Sequence, residues 1–357
     1  MKELFDAVKI LLHSLPKMRR DQMGNIVLEK ERSYYMNDRI NSNKILGLSH
    51  YVMVFLVALI VSCSKDKDPS PVHNIDPDAI SVSLTKIYAP ETGVRVDYSH
   101  VFFSMIGKTI YYGATSISDG KPRFLSYNTA SNSYSAALAV TDDLCACGYS
   151  GKLVNDGKKM YLFANGSAAY DVTANTWTAL NYPNSARDGE VGTAIYSGNI
   201  YSLGGRSRPK EFRYYSIKDN TWLGLPDYLY PTSHSGVAGV DNKIYVLGGR
   251  SADKKFSVFD LSTRSWEALP DLPFNYSSAP TMSTVVVYKD LIWLLDWQTM
   301  KLHIYNPSMQ KWKAQPLTTG VTSSFSVSLL TNGDKLYIAK ALMNSATVEY
   351  HEVTVSY

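Results

Sequence analysis

Four side chains of this sequence could move a proton, stack on a ring or hold a polar ligand, and three of them fall at one recurring offset, with the fourth, Tyr149, one residue from it. Eleven residues ahead of an aromatic in an apolar segment stand His100 (before Tyr111), Glu190 (before Tyr201), His234 (before Tyr245) and Met282 (before Trp293). A one-residue shift of the same count gives Tyr149 and Phe325. A carboxylate and an imidazole are ordinary partners in acid–base chemistry, which makes Glu190 and His234 candidates for an acid and a base. Arg206 and Arg250 each stand in Gly-Gly-Arg-Ser, and a guanidinium fork suits a carboxylate because it donates two parallel hydrogen bonds. Arg187, Arg208, Asp296 and Trp297 belong to the same class of loop. Trp297 and Tyr149 offer flat faces for the C–H side of a sugar ring. Polar side chains opposite Met282 and Phe325 describe an amphipathic mouth, the usual character of a ligand site. Structural roles stand beside these: the arginines can brace loops through carbonyls, and the two histidines can line a channel against water or backbone. Cys145 and Cys147 are two residues apart; a disulfide between them would be strained, and small apolar packing is expected instead. No nucleotide-binding glycine loop, His-Glu-x-x-His motif or nucleophile elbow is present, and neither a cofactor nor a metal is expected.

The elements that must position these side chains are repeats. An aromatic is followed seven residues later by another at Tyr127/Tyr134, Tyr170/Trp177, Tyr215/Trp222, Phe259/Trp266 and Tyr305/Trp312. The second members lie 43, 45, 44 and 46 residues apart. Apolar strands ending in double glycine recur at Ile200–Gly205 and Ile244–Gly249, with weaker copies at Ile110–Gly113, Met160–Phe163, Ile292–Leu295 and Leu336–Ile338. Turn residues precede several of them, as in Ser197-Gly198-Asn199 and Asn332-Gly333-Asp334. A period of this length in strand-rich sequence is the mark of a propeller.

Double glycine, then Tyr, then Trp resembles the kelch signature over residues 98–357, complete in two repeats and eroded in the rest. The resemblance implies an all-β, six-bladed propeller whose Trp packs between neighbouring blades. The last repeat supplies only three strands. Residues 80–88 alternate like a strand and are expected to complete that blade, which would remove an exposed edge and close the ring. The superfamily also contains galactose oxidase, but no set of Tyr and His copper ligands is evident here. It contains bacterial sialic acid mutarotases too. That distant similarity implies a sugar mutarotase or epimerase with Glu190 and His234 as its acid and base. The expectation placed ahead of it is a non-catalytic module binding a glycan or a protein partner at His100, Tyr149, Glu190, Arg206, His234, Arg250 and Trp297.

The chain of 357 residues is 45% hydrophobic with 26 tyrosines and 19% charged residues, a composition that favours an extracytoplasmic β-protein. Its first 63 residues hold 9 basic and 6 acidic side chains of the 36 and 32 in the whole, so the body is nearly neutral. Nucleic acid is not expected as a partner, because such binding rests on neutralising phosphates. The apolar run Tyr51–Val61 follows Arg39 and Lys44 and ends at Ser62-Cys63, the layout of a secretory signal, too short to span comfortably. Ile60-Val61-Ser62-Cys63 resembles a bacterial lipobox, which implies lipidation of Cys63 and a lipid anchor in the cell envelope, expected at the outer membrane of a Gram-negative bacterium. The organisation read from these features is an extension at 1–35, a signal at 36–62, a tether at 63–79 and the propeller at 80–357. Phe5, Val8, Leu11, Leu12 and Leu15 have helical spacing, but no function is assigned to residues 1–35.

Overall fold

The computed structural model describes residues 18–20, 26–28, 75–87, 89–95, 101–135, 137–141, 152–163, 167–181, 190–277, 284–317, 325–342 and 345–357. The chain divides into two units, Met1–Pro69 and Ser70–Tyr357. In the first, Met18–Arg20 pairs antiparallel with Ile26–Leu28. The helical spacing from Phe5 to Leu15, the apolar run Tyr51–Val61 and Cys63 lie outside the described residues. Among the described residues no helix is long and apolar enough to cross a membrane.

The second unit is an all-β, six-bladed propeller built from six four-stranded antiparallel sheets. Within each blade the strands follow one another outward from the axis, so the first strand is innermost. The six inner strands are Phe102–Ile106, Lys152–Asn155, Gly192–Tyr196, Gly236–Val240, Val285–Tyr288 and Phe325–Thr331. Each touches the inner strand of the next blade, and the sixth returns to the first. Together they line a central cavity of about 330 Å³. Because every blade repeats the same meander, all six inner strands begin at one face. The loops after the second strands rise to that same face.

The aromatic pairs explain why the blades stand upright. Each pair proves to be a cross-strand neighbour on the third and fourth strands: Tyr127 opposes Tyr134, Tyr170 opposes Trp177, Tyr215 opposes Trp222, Phe259 opposes Trp266 and Tyr305 opposes Trp312. Their ring centroids lie 4.7–5.5 Å apart, the range in which aromatic pairs attract beyond simple burial. The indole then reaches the preceding blade. Trp177 Nε1 donates to the Ala139 carbonyl (2.9 Å), Trp222 to Asn181 (3.0 Å) and Trp266 to Pro226 (3.0 Å). The first three tyrosines of the pairs donate to Asn132, Asn175 and Asn220, which occupy left-handed turn positions at φ 51°, 54° and 50°.

The hydrophobic core is divided the same way. Six clusters of buried side chains occupy the six seams between adjacent blades. The seam between the fifth and sixth blades takes Ile80 into its cluster, with Val82 and Leu84 packed against it. These belong to the N-terminal segment expected to close the ring, and Ser81–Ile87 does pair antiparallel with Val348–Ser356 as the outer strand of the sixth blade.

Candidate functional site

The two intact double glycines build the site. Gly204 and Gly205 have φ of 68° and 128°, Gly248 and Gly249 of 52° and 109°, all in the region that side chains disfavour. Space forbids a side chain there as well. A Cβ on Gly204 would strike the Thr232 carbonyl, one on Gly248 the Tyr276 carbonyl, and one on Gly249 both Thr232 Oγ1 and the Ser233 carbonyl. The loops entering the fourth and fifth blades therefore rest on bare backbone. Gly205 N–H donates to the Thr232 carbonyl (3.1 Å), Gly249 N–H to Tyr276 (2.7 Å) and Arg250 N–H to Ser233 (2.7 Å). This seating brings Arg206 and Arg250, just beyond the glycines, over the start of the inner strands.

Glu190 and His234 occupy equivalent positions two residues ahead of the inner strands of the third and fourth blades. Both are buried. Both have left-handed backbones, at φ 68° and 57°, a conformation uncommon for residues with a Cβ. They are tied together by a 2.7 Å bond from the His234 N–H to the Glu190 carbonyl. On the Glu190 carboxylate converge the Ser233 hydroxyl at 3.2 Å, His234 Nε2 at 3.6 Å, Arg206 Nε at 3.7 Å and Arg250 Nη1 at 3.9 Å. The carboxylate side chain is 9% exposed, whereas the guanidinium-bearing side chains are 77% and 64% exposed. Two cations thus surround one carboxylate and leave one positive charge in excess, directed at solvent.

Burial pushes the His234 imidazole down to about 4, against the pull of Glu190 and with help from the charges of Lys152, Arg250 and Arg206. The ring is therefore neutral at neutral pH, and among the described residues its buried Nε2 has no hydrogen-bond partner.

The other candidates divide. His100, Tyr149, Met282, Arg187, Cys145 and Cys147 lie outside the described residues. Trp297 is half-buried; its Nε1 donates to the Ser277 carbonyl (3.2 Å) and its ring packs on the seam between the fifth and sixth blades. Arg208 is engaged by Glu211 at 3.1 Å. Asp296 accepts from the Gln298 and Thr299 amides, as a turn brace does. His303 is buried and stacked on Phe274, with centroids 3.5 Å apart. One positional expectation changes. Ser326 pairs with Ala341, as the common register requires, so Ser326 and not Phe325 occupies the sixth-blade counterpart of Glu190 and His234. The one-residue shift in the count was not needed there, because the hairpin register is the same in every blade.

Lys152 escaped the sequence reading. It opens the inner strand of the second blade, is buried, and lines the central cavity beside Ser235, Tyr276 and Thr284. Register makes it equivalent to Gly192 and Gly236, since Lys152 pairs with Phe163, Gly192 with Leu203 and Gly236 with Leu247. A lysine where neighbouring repeats carry glycine is the signal that could have exposed it.

Comparison with known proteins agrees with this architecture. The Kelch motif matches residues 231–273, the stretch that carries His234, Gly248, Gly249, Arg250 and Trp266. Of the solved structures, 873 chains resemble this one, so the likeness shows a widely shared fold. One, titled "Structure of YjhT", aligns with a TM-score of 0.53 at 14% identity, covering 75% of this chain and 99% of that one. A search of curated proteins by sequence returns no match. The chain is a kelch-type β-propeller.

Proposed function

We propose that this propeller is a ligand-binding module of the bacterial cell envelope, holding a carboxylate-bearing glycan at the mouth between its third and fourth blades. One observation carries the reading: Arg206 and Arg250, both largely exposed, flank a single buried carboxylate and leave net positive charge facing solvent. Arginines serving as braces would be buried against carbonyls. The left-handed backbones of Glu190 and His234 support it, because strain of this kind persists where the surroundings impose it and clusters at ligand sites. Calorimetric titration with a uronic or sialic acid against the matching neutral sugar tests the idea. The acidic sugar should bind at least about tenfold tighter, the equivalent of 1.4 kcal/mol. Equal affinities, or binding of neither, overturn it; capture of a protein partner instead would point to the same face used differently.

A sugar mutarotase is the second reading, favoured by the paired carboxylate and neutral imidazole. The 3.6 Å between Glu190 and His234 weighs against it. An acid and a base working on one anomeric centre need the sugar between them, and these two groups nearly touch. Interconversion of anomers followed by NMR, lost in Glu190→Gln, would restore it. Attachment to the membrane through lipid on Cys63 is part of the proposed role, and Cys63→Ala should leave the precursor unprocessed; processing at the same bond in that variant removes the anchor from the reading.

A further inference from the structure

The carboxylate at the mouth is not built as an arginine salt bridge. Each of its oxygens faces a different guanidinium, Oε1 towards Arg206 Nε at 3.7 Å and Oε2 towards Arg250 Nη1 at 3.9 Å. Both distances exceed hydrogen-bond length, whereas an arginine that braces a carboxylate donates to it at about 2.7–2.9 Å, often through two parallel bonds. Among the described residues the side-chain donor to Glu190 is the Ser233 hydroxyl, at 3.2 Å. The guanidinium donors are therefore left for a ligand, and Glu190 acts on them through its charge. That charge is particular to the third blade. The equivalent residues of the fourth and sixth blades are His234, neutral at neutral pH, and Ser326. Burial of the carboxylate leaves little water to screen it from whatever the arginines hold.

We propose that Glu190 is a charge filter: it makes the mouth accept sugars bearing one negative charge and turn away doubly charged ones, phosphate monoesters above all. The inference rests on the carboxylate-binding reading of the same site and narrows its ligand class. Attraction to the arginines grows in proportion to a ligand's charge, whereas the cost of stripping its water grows roughly as the square. Two guanidinium charges less one carboxylate charge balance a monoanion. A dianion leaves a surplus negative charge close to the buried carboxylate. Lys152 also bears on this neighbourhood, but burial lowers it to about 7, so at pH 8 it adds little positive charge. A unit charge acting across roughly 6–7 Å, at an effective dielectric constant of about 20–40, changes affinity by about tenfold or more for each added ligand charge.

Calorimetric titration at pH 8 with glucuronate, glucose 6-sulfate and glucose 6-phosphate provides the test. The two esters share one tetrahedral shape, but at this pH the sulfate carries one charge and the phosphate two, its second pKa lying at about 6. The wild type should bind the sulfate more tightly than the phosphate. Glu190→Gln keeps the shape of the side chain and removes its charge, so it should raise affinity for the phosphate relative to the sulfate by about tenfold. Glu190→Asp keeps the charge and should keep the wild-type order. A role in folding alone would weaken all three ligands together and leave their ratios unchanged. A wild type that binds the two esters equally, or prefers the phosphate, overturns the proposal, as does an unchanged ratio in folded Glu190→Gln. Binding of glucuronate with rejection of both esters also overturns it, because shape and not charge then decides. The wild-type comparison stands even where the variants fail to fold. Esters that are told apart while glucuronate is not bound would sink the carboxylate reading alone, and binding of none of the three would sink both.

Discussion

Arg206 and Arg250 can be binders or braces, and their exposure makes the two roles separable by experiment. A brace stabilises the fold; a binder does not. Arg206→Ala and Arg250→Ala should each weaken binding of an acidic sugar by about 1.5–3 kcal/mol, the scale of a hydrogen bond to a charged group. Each should change the melting temperature little, since ion pairs this exposed contribute roughly 0–1 kcal/mol. Paired melting and calorimetry decide it, and a large loss of stability with intact affinity would assign both to bracing. The buried imidazoles carry a second consequence. His303 is held near 4, against an ordinary 6.5, chiefly by burial, although Asp296 pulls the other way. An unfolded chain takes up that proton near pH 6.5, the folded chain only near 4, so protons favour unfolding between those values. The stability tied to a neutral ring is whole above about pH 6.5 and is lost as pH falls towards 4, by about 1–3 kcal/mol. His303→Leu should flatten that part of the stability profile in chemical denaturation, and an unchanged slope would exclude the ring as its source. Residues of this kind differ in legibility. Glu190 and His234 were found by counting because the repeat fixes their place. Lys152 was passed over because one polar residue in a strand does not declare which neighbour it will meet.

At the scale of the element, the double-glycine hairpin joins stability to the site. Its glycines do more than permit an unusual φ: they leave the floor on which the entry loops of their own and of the next blade rest. Gly249→Ala should therefore cost about 2–4 kcal/mol, from a disfavoured backbone and a clash with backbone and Thr232 together. Gly198→Ala is the matched control. It has φ of 75° but nothing within 4 Å of the added methyl, so about 1–2 kcal/mol is expected from the backbone alone. Equal losses in the two variants would mean that the packing contributes nothing. Gly249→Ala should also weaken ligand binding, because Arg250 and Ser233 are bonded through the same backbone. Strands, turns and the five aromatic pairs were readable because they recur with one period. The seating of one loop on the next was not, since it depends on contact between segments whose separation in sequence encodes no distance.

For the whole molecule the decisive question is how a ring made from one chain is held shut. Every seam is filled by apolar side chains of two blades, but the seams bordering the sixth blade also draw on the chain's beginning. Ile80 is fully buried in the seam between the fifth and sixth blades, Val82 and Leu84 pack beside it, and Ile87 packs on the seam between the sixth and first. That contribution was legible, because three strands in a final repeat leave a sheet one strand short and residues 80–88 alternate correctly. The anchoring ahead of it was not legible. Lys311 reaches Asp76 at 2.8 Å and Asp78 at 2.6 Å, and Asn306 Nδ2 donates to the Ile75 carbonyl at 2.8 Å, clasping the segment to the fifth blade before it enters the sixth. Two mechanisms of closure can thus be compared within one protein. The ionic clasp is exposed, and Lys311→Ala should change stability little, because solvent screens such pairs. Removal of the segment through residue 88 strips seven backbone pairings from Val348–Ser356 and uncovers apolar side chains worth about 1.5–3 kcal/mol each when fully buried. A chain beginning at residue 89 should therefore be less stable than one beginning at residue 70 by several kcal/mol, and its newly bare strand edge should promote self-association. Urea unfolding with sedimentation of the two chains measures both effects. If Lys311→Ala proves as damaging as the truncation, the clasp and not the strand closes the ring; if neither changes the midpoint, the inner strands alone hold it.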